Sequence, residues 1–194
     1  KTFANMQPLG LLYGLASEVL IHLLESKWVV DNIFGKDPFD KFLRAKSQSE
    51  EDRFKMADRV VETAEMLFNF QSIVGIENLI EKIKKDSIEP YIAELQSAKL
   101  LYFNETTFYF NTPSNQKGFD YDAVATVQTS KVYCEFKCKI ENTKFSENTI
   151  RETLRKAKGQ LPKAKKSIIF IKIPEEWTIH KKTESKVLKV LTEF

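Results

Sequence analysis

The hydrophobic period of this chain changes near residue 105, and that change limits what it can fold into. Up to Tyr102 the apolar residues recur at helical spacing, and from Thr106 to Lys139 they alternate. A run of helices must therefore hand over to a sheet of short strands. Pro8–Val30 reads as a helix with Leu11, Leu12, Leu15, Val19 and Leu23 at helical spacing. Asp31–Asp37 reads as a turn-rich break, and Phe39–Ala45 as a short helical piece. Ser49-Glu50-Glu51-Asp52 has the acidic character of a helix start. Phe54–Phe70 follows, with Phe54, Met56, Val60, Val61, Ala64, Leu67 and Phe68 expected inside. Gly75 marks a break before a helix over Ile76–Lys85, and Pro90 suits the first turn of another that runs to Tyr102.

Beyond the change, Thr106–Asn111 reads as a strand and Thr112–Gly118 as a loop rich in turn residues. Phe119–Val127 and Lys131–Lys139 form a hairpin. Ser146–Leu161 is a helix capped by Ser146, with Leu154, Ala157 and Leu161 on one face. Ser167–Ile173 is an apolar β-branched run, expected as a buried strand that Pro174 ends. Glu184–Leu191 is a final helix. The order is helices, then α-β-β-β-α-β-α. This predicts an α/β class with a mixed sheet: a helical region over 1–88 and an α/β core over 89–194.

A chain of 194 residues has room for one well-buried domain and an appendage. With 42% apolar and 29% charged residues it falls in the ordinary globular range. Cys134 and Cys138 sit four apart on one expected strand, about 13 Å between Cα atoms. A disulfide needs less than about 7 Å, so both read as small buried hydrophobes in a reducing, intracellular compartment, cytoplasmic or nuclear. The apolar stretch Leu9–Leu24 is interrupted by Ser17, Glu18 and His22, so a membrane partner is not expected. Lys1 is not a Met, and helical periodicity still runs at Phe194, so a piece of a larger protein is expected. Residues 1–130 carry 14 Lys and Arg against 19 Asp and Glu, whereas residues 131–194 carry 16 against 8. A basic second part of this kind suits a polyanion. His22 and His180 are isolated and gain no catalytic role, and Trp28 and Trp177 read as core or rim residues.

The chemistry concentrates in the hairpin. One strand reads Gly118-Phe119-Asp120-Tyr121-Asp122-Ala123-Val124-Ala125, and the next Val132-Tyr133-Cys134-Glu135-Phe136-Lys137-Cys138-Lys139. Side chains alternate faces along a strand, so Glu135 and Lys137 share a face, as do Asp120 and Asp122. With Thr129-Ser130 as the turn, Asp122 falls opposite Lys137 and diagonal to Glu135. Two acids and a lysine then meet at one sheet edge. That set suits Mg²⁺ or Mn²⁺, a hard cation that takes oxygen ligands and keeps several waters. Asp122 and Glu135 are the expected ligands, with the Phe136 carbonyl as a third, and Asp120 is the alternative acid. Lys137 can orient an attacking water, act as a base, or stabilise developing charge. The plainer reading is a cross-strand salt ladder of Asp120 and Asp122 against Lys137 and Lys139, worth under about 1 kcal/mol per pair.

The arrangement resembles the PD-(D/E)xK nuclease superfamily, with its restriction-endonuclease-like α-β-β-β-α-β core, over residues 90–175. Asp122 stands for the first Asp, and Glu135-Phe136-Lys137 for the Glu-x-Lys. Phe119 and Tyr121 flank Asp120 where the family's Pro would stand. The resemblance implies a Mg²⁺- or Mn²⁺-dependent endonuclease acting on nucleic acid, DNA ahead of RNA. It implies Glu94 as a further metal-shell residue and Gln160 as the polar residue on the following helix. Lys139, Lys156 and Lys158, with Lys163, Lys165 and Lys166, would follow the phosphate backbone. A homodimer, or further domains of a larger protein, are partners such a domain would have. Two readings compete: a nuclease-like scaffold used only for binding nucleic acid or protein, and an unrelated α+β interaction module.

Overall fold

The computed structural model describes residues 8–35, 42–112, 116, 118–141, 143–179 and 181–194. The chain divides into two compact units. One is helical and comprises residues up to Ser72 together with Ile76–Tyr91; the other comprises Ile73–Gly75 and Ile92–Phe194.

In the helical unit, α1 (Pro8–Leu24) does not continue to Val30. Glu25 takes φ of 77°, a left-handed conformation that ends the helix. A short α2 (Ser26–Val29) follows and opens into a π-helical turn, Val30–Phe34, where a turn-rich break was expected. Hydrogen bonds explain the irregularity. Trp28 Nε1 donates to the Ile83 carbonyl at 3.0 Å, Asn32 Nδ2 donates to the Trp28 carbonyl at 2.9 Å, and Lys84 pairs with Glu25 at 3.1 Å. Of the expected piece at Phe39–Ala45, residues 39–41 lie outside the described residues. Phe42–Ala45 is a turn, with Leu43 and Arg44 buried.

α3 (Glu50–Phe70) begins at the acidic run, and the Ser49 hydroxyl accepts the Asp52 N–H at 3.2 Å. Its buried stripe is Val60, Thr63, Ala64, Met66, Leu67 and Phe70. Phe54 and Phe68, expected inside, are exposed. Phe68 follows Leu67 by one residue and is turned about 100° away from it. α4 (Ile76–Lys85) matches the expected bounds and buries Ile76, Leu79 and Ile83.

α5 (Glu89–Phe103) has Pro90 in its first turn. The sheet that follows has the order β1-β2-β3-β4: β1 (Thr107–Phe110), β2 (Ala123–Val127), β3 (Ser130–Cys138) and β4 (Ser167–Lys172). The first two pairings are antiparallel and the third is parallel. A parallel partner needs a crossover, which α6 (Glu147–Gln160) supplies. Ser146 occupies the N-cap position of α6, but its side chain makes no capping hydrogen bond. α7 (Glu176–Ile179) and α8 (Lys181–Glu193) complete the chain. Among the described residues this is a mixed α/β fold with a four-stranded mixed sheet and eight α-helices. No described helix is long and apolar enough to cross a membrane.

β4 was expected as a buried strand and is instead the sheet edge, with Ser167 and Ile168 exposed. Its apolar residues divide between the two faces of the sheet. Ile169, Ile171 and Ile173 pack on Ile150 and Leu154 of α6, Trp177 of α7, and Val187 and Val190 of α8. Trp177 Nε1 is satisfied by the Thr143 carbonyl at 2.8 Å. On the other face Phe108, Phe110, Ala123, Ala125, Cys134 and Phe136 are buried, and Phe136 meets Phe170 edge to face at 5.5 Å.

Gly75 ties the start of this unit to the sheet. The Phe110 N–H donates to the Val74 carbonyl at 2.9 Å, and Gly75 has φ of 88°. A Cβ at Gly75 would lie 2.3 Å from the Phe110 carbonyl oxygen, in a conformation that side chains avoid. Gly75→Ala is therefore expected to destabilise the fold by about 2–4 kcal/mol, read as a lower urea midpoint at unchanged m-value.

Candidate active site

β3 lies in the interior of the sheet, and its alternation sorts the chemistry. Cys134 and Phe136 face the aromatic side, while Tyr133, Glu135 and Lys137 face α6. The hairpin turn is Gln128-Thr129, since Val127 pairs with Ser130, and Gln128 takes φ of 56°. The expected turn at Thr129-Ser130 is thus wrong by one residue, and the register moves by two. Faces are unchanged by an even shift, but Asp122 now falls opposite Glu135 rather than Lys137.

The regular β2–β3 ladder stops at Ala123–Cys134, so Phe119–Asp122 is not strand as expected. The chain still follows β3: the Asp122 N–H donates to the Cys134 carbonyl at 3.0 Å. One step on, the Asp122 carboxylate takes over from the backbone, and its Oδ2 accepts the Phe136 N–H at 2.6 Å. That bond orients the acid. The N–H and C=O of one strand residue point to the same side, so the Phe136 carbonyl also faces the place where Asp122 stands.

Glu135 is fully buried. Lys137 Nζ forms an ion pair with its Oε1, yet neither carboxylate oxygen receives a directed hydrogen bond. Burial pushes its pKa up to about 7; the negative Asp122 adds to the rise, Asp120 adds less, and Lys137 opposes it. Lys137 Nζ also donates to Gln160 Oε1 at 2.7 Å, and Gln160 Nε2 donates to the Asp120 carbonyl at 3.3 Å. Gln160 reaches this position because Ile150, Leu154 and Ala157 bury one side of α6, three residues or more before it.

Asp122, Glu135, Phe136, Lys137, Gln160 and the Asp120 backbone are thus brought together. Lys139, two residues beyond Lys137, and Lys156, four residues before Gln160, line a common cavity. Lys158 does not join them. Its ammonium sits 5.0 Å from the centre of the Phe194 ring, on the other side of α6 from Lys156. Lys166 bonds Ser130 at 3.2 Å, at the far end of β3 from Lys137. Glu94 is half-buried on α5 and does not complete a three-carboxylate set. Cys134 and Cys138 are not joined in a disulfide; the first is buried and the second half-buried. Burial pushes the Cys134 thiol up to about 11.

One group was not foreseen. Tyr121 and Tyr133 meet edge to face at 4.9 Å beside the acids. The signal was present, since Tyr133 precedes Glu135 by two and so shares its face. Burial, followed by Tyr109 and then Tyr133, raises the Tyr121 pKa.

The donor set is compatible with a hard divalent cation. Two adjacent acids and a backbone carbonyl suit an ion that keeps most of its own waters, and a buried carboxylate lacking directed hydrogen bonds is the group such an ion would satisfy. Among the described residues no three or more His, Cys, Asp or Glu side chains gather as a metal cage. No family model, curated protein or solved structure matches this chain.

Proposed function

We propose that this chain is a divalent-metal-dependent nuclease of the PD-(D/E)xK kind, hydrolysing phosphodiester bonds of nucleic acid, DNA ahead of RNA. The observation that carries the reading is the Glu135 carboxylate, buried, raised in pKa and without directed hydrogen bonds, beside Asp122 and Lys137. The strand order and the α6 crossover are compatible with that superfamily's core.

Asp122, Glu135 and the Phe136 carbonyl would hold Mg²⁺ or Mn²⁺, which supplies Lewis-acid polarisation of the phosphate and a more acidic water. The chain's own residues do the rest. Lys137 has three N–H donors. The ammonium faces Glu135 as an ion pair and donates to Gln160, which leaves a third N–H for a phosphate oxygen or for the attacking water. Gln160 fixes that ammonium and is itself anchored to the Asp120 backbone. A donor held in place needs little reorganisation as negative charge builds.

Plasmid and single-stranded DNA, and RNA, incubated with Mg²⁺ or Mn²⁺ test the reading. Wild type is expected to cut at least one of them, and Asp122→Asn to cut about 100-fold more slowly. Asparagine keeps a carbonyl acceptor for the Phe136 N–H, so the fold is retained. The rival reading is a nuclease-like module that only binds. Binding without cleavage of any of these substrates would establish that rival instead.

A further inference from the structure

Past Lys137 along the chain of β3 lies a cavity of about 320 Å³ lined by Lys139, Asn148, Thr149, Glu152, Thr153 and Lys156. The strand and the helix build it in step. Lys137 and Lys139 share a face of the β3 chain, which runs on past Cys138 with the Lys139 N–H donating to the Lys172 carbonyl at 2.9 Å. Two residues along a strand span about 7 Å. On α6, Thr149, Thr153, Lys156 and Gln160 follow one another at intervals of three and four, so they form a single stripe. Gln160 stands over Lys137, and Lys156 stands near Lys139 one turn away.

The charges in this cavity do not balance. Among the described residues neither the Lys139 nor the Lys156 ammonium has an ion-pair partner. Glu152, the acid in the lining, is drawn to Arg155. The Lys139 pKa is lowered, by burial first and by the facing Lys156 next, with Lys137 adding to it. Two ammonium groups held together without an anion carry unrelieved repulsion, and an anion between them would relieve it. The Thr149 hydroxyl adds a neutral donor to the lining.

We propose that the Lys139–Lys156 cavity is a second phosphate site, holding the phosphate that neighbours the scissile one along a nucleic-acid strand. This rests on the nuclease reading for its second half. The separation between Lys137 and Lys139 is of the order of one nucleotide step in a single strand, so the two tiers would engage successive phosphates. The substrate class follows. A strand occupying both tiers lies along β3 with its backbone against α6, and its bases are not read by either lysine.

Binding without metal separates the two halves. A fluorescein-labelled eight-residue oligothymidylate is titrated in EDTA at several salt concentrations against wild type, Lys139→Gln/Lys156→Gln and Lys55→Gln. Lys55 pairs with Glu51 in the helical unit and serves as a control for the loss of one positive charge. The double variant is expected to bind about tenfold more weakly, with the slope of log K against log salt reduced by about 0.7 for one lost phosphate contact to a single strand. Lys55→Gln should keep the wild-type slope. In parallel, inorganic phosphate should shift the amide NMR resonances of Lys139 and Thr149 in wild type and not in the double variant. An unchanged slope overturns the assignment to a nucleic-acid strand, even where inorganic phosphate binds. An absence of phosphate-induced shifts at both amides overturns the site itself. Neither result depends on cleavage, so a failure here leaves the metal-dependent chemistry to be judged by its own assay.

Discussion

Glu135→Gln is expected to abolish cleavage and, without metal, to make the protein more stable at pH 8. Both effects come from one desolvated carboxylate. Glu135 is fully buried, and its pKa rises from 4.5 to about 7, chiefly through burial and then through Asp122. In the folded protein it therefore holds its proton to higher pH than in the unfolded chain. Between pH about 4.5 and 7 the native state binds more protons, so stability falls as pH rises through that window. Above it the cost is fully present, at most about 3 kcal/mol. Glutamine fills the same space without charge and removes the cost. The variant should melt above wild type at pH 8, and the two should converge near pH 4.5. Cleavage should drop by about 10³-fold or more, because the chain then lacks one of the two acids proposed to hold the metal. Thermal melts across pH 4.5–8.5 in EDTA, alongside a cleavage assay, check both halves. Identical melting curves at pH 8 would falsify the picture of an unrelieved buried charge.

Much of this site was legible because parity in a strand is robust. Glu135 and Lys137 share a face in any register, and an even register error leaves Asp122 on that face too. The error itself came from the turn. Gln128 holds a positive φ that its residue type does not advertise, so the turn centred one residue earlier than Thr129-Ser130. The use of Asp122 as a substitute ladder acceptor for Phe136 was not legible, since it depends on where the β2 backbone departs from β3. The helix boundaries at Ile76–Lys85 and Ser49–Phe70 were readable from Gly75 and from the acidic run, because local chemistry alone sets them. Glu25 and the Val30–Phe34 turn were not, because Trp28 and Lys84 impose them through distant partners. β4 carried a buried-strand composition while lying at the edge. Ile169 and Ile171 pack on the α6–α8 side, Phe170 meets Phe136 on the other, and Ile168 stays exposed, a distribution that composition cannot show.

Lys137→Met is expected to change stability in the opposite direction. Methionine keeps the length and apolar stem of the side chain but removes the charge that Glu135 faces and the donor that Gln160 accepts. At pH 8 the buried carboxylate loses the cation it pairs with, so the metal-free protein should lose about 1–3 kcal/mol. The Glu135 pKa should climb further, since Lys137 is what holds it down, and the pH at which Mn²⁺ begins to bind should climb with it. At pH 8.5 calorimetry should still find Mn²⁺ binding, because Asp122 and Glu135 remain and an opposing positive charge has gone. Cleavage at that pH should nonetheless fall by about 10²–10³-fold, the size of effect expected for a lost preorganised donor. Metal binding retained with chemistry lost assigns Lys137 to the reaction rather than to the fold. If Mn²⁺ binding and cleavage vanished together at pH 8.5, Lys137 would be a structural counter-ion for Glu135, and the third ammonium donor would have no role in phosphodiester hydrolysis.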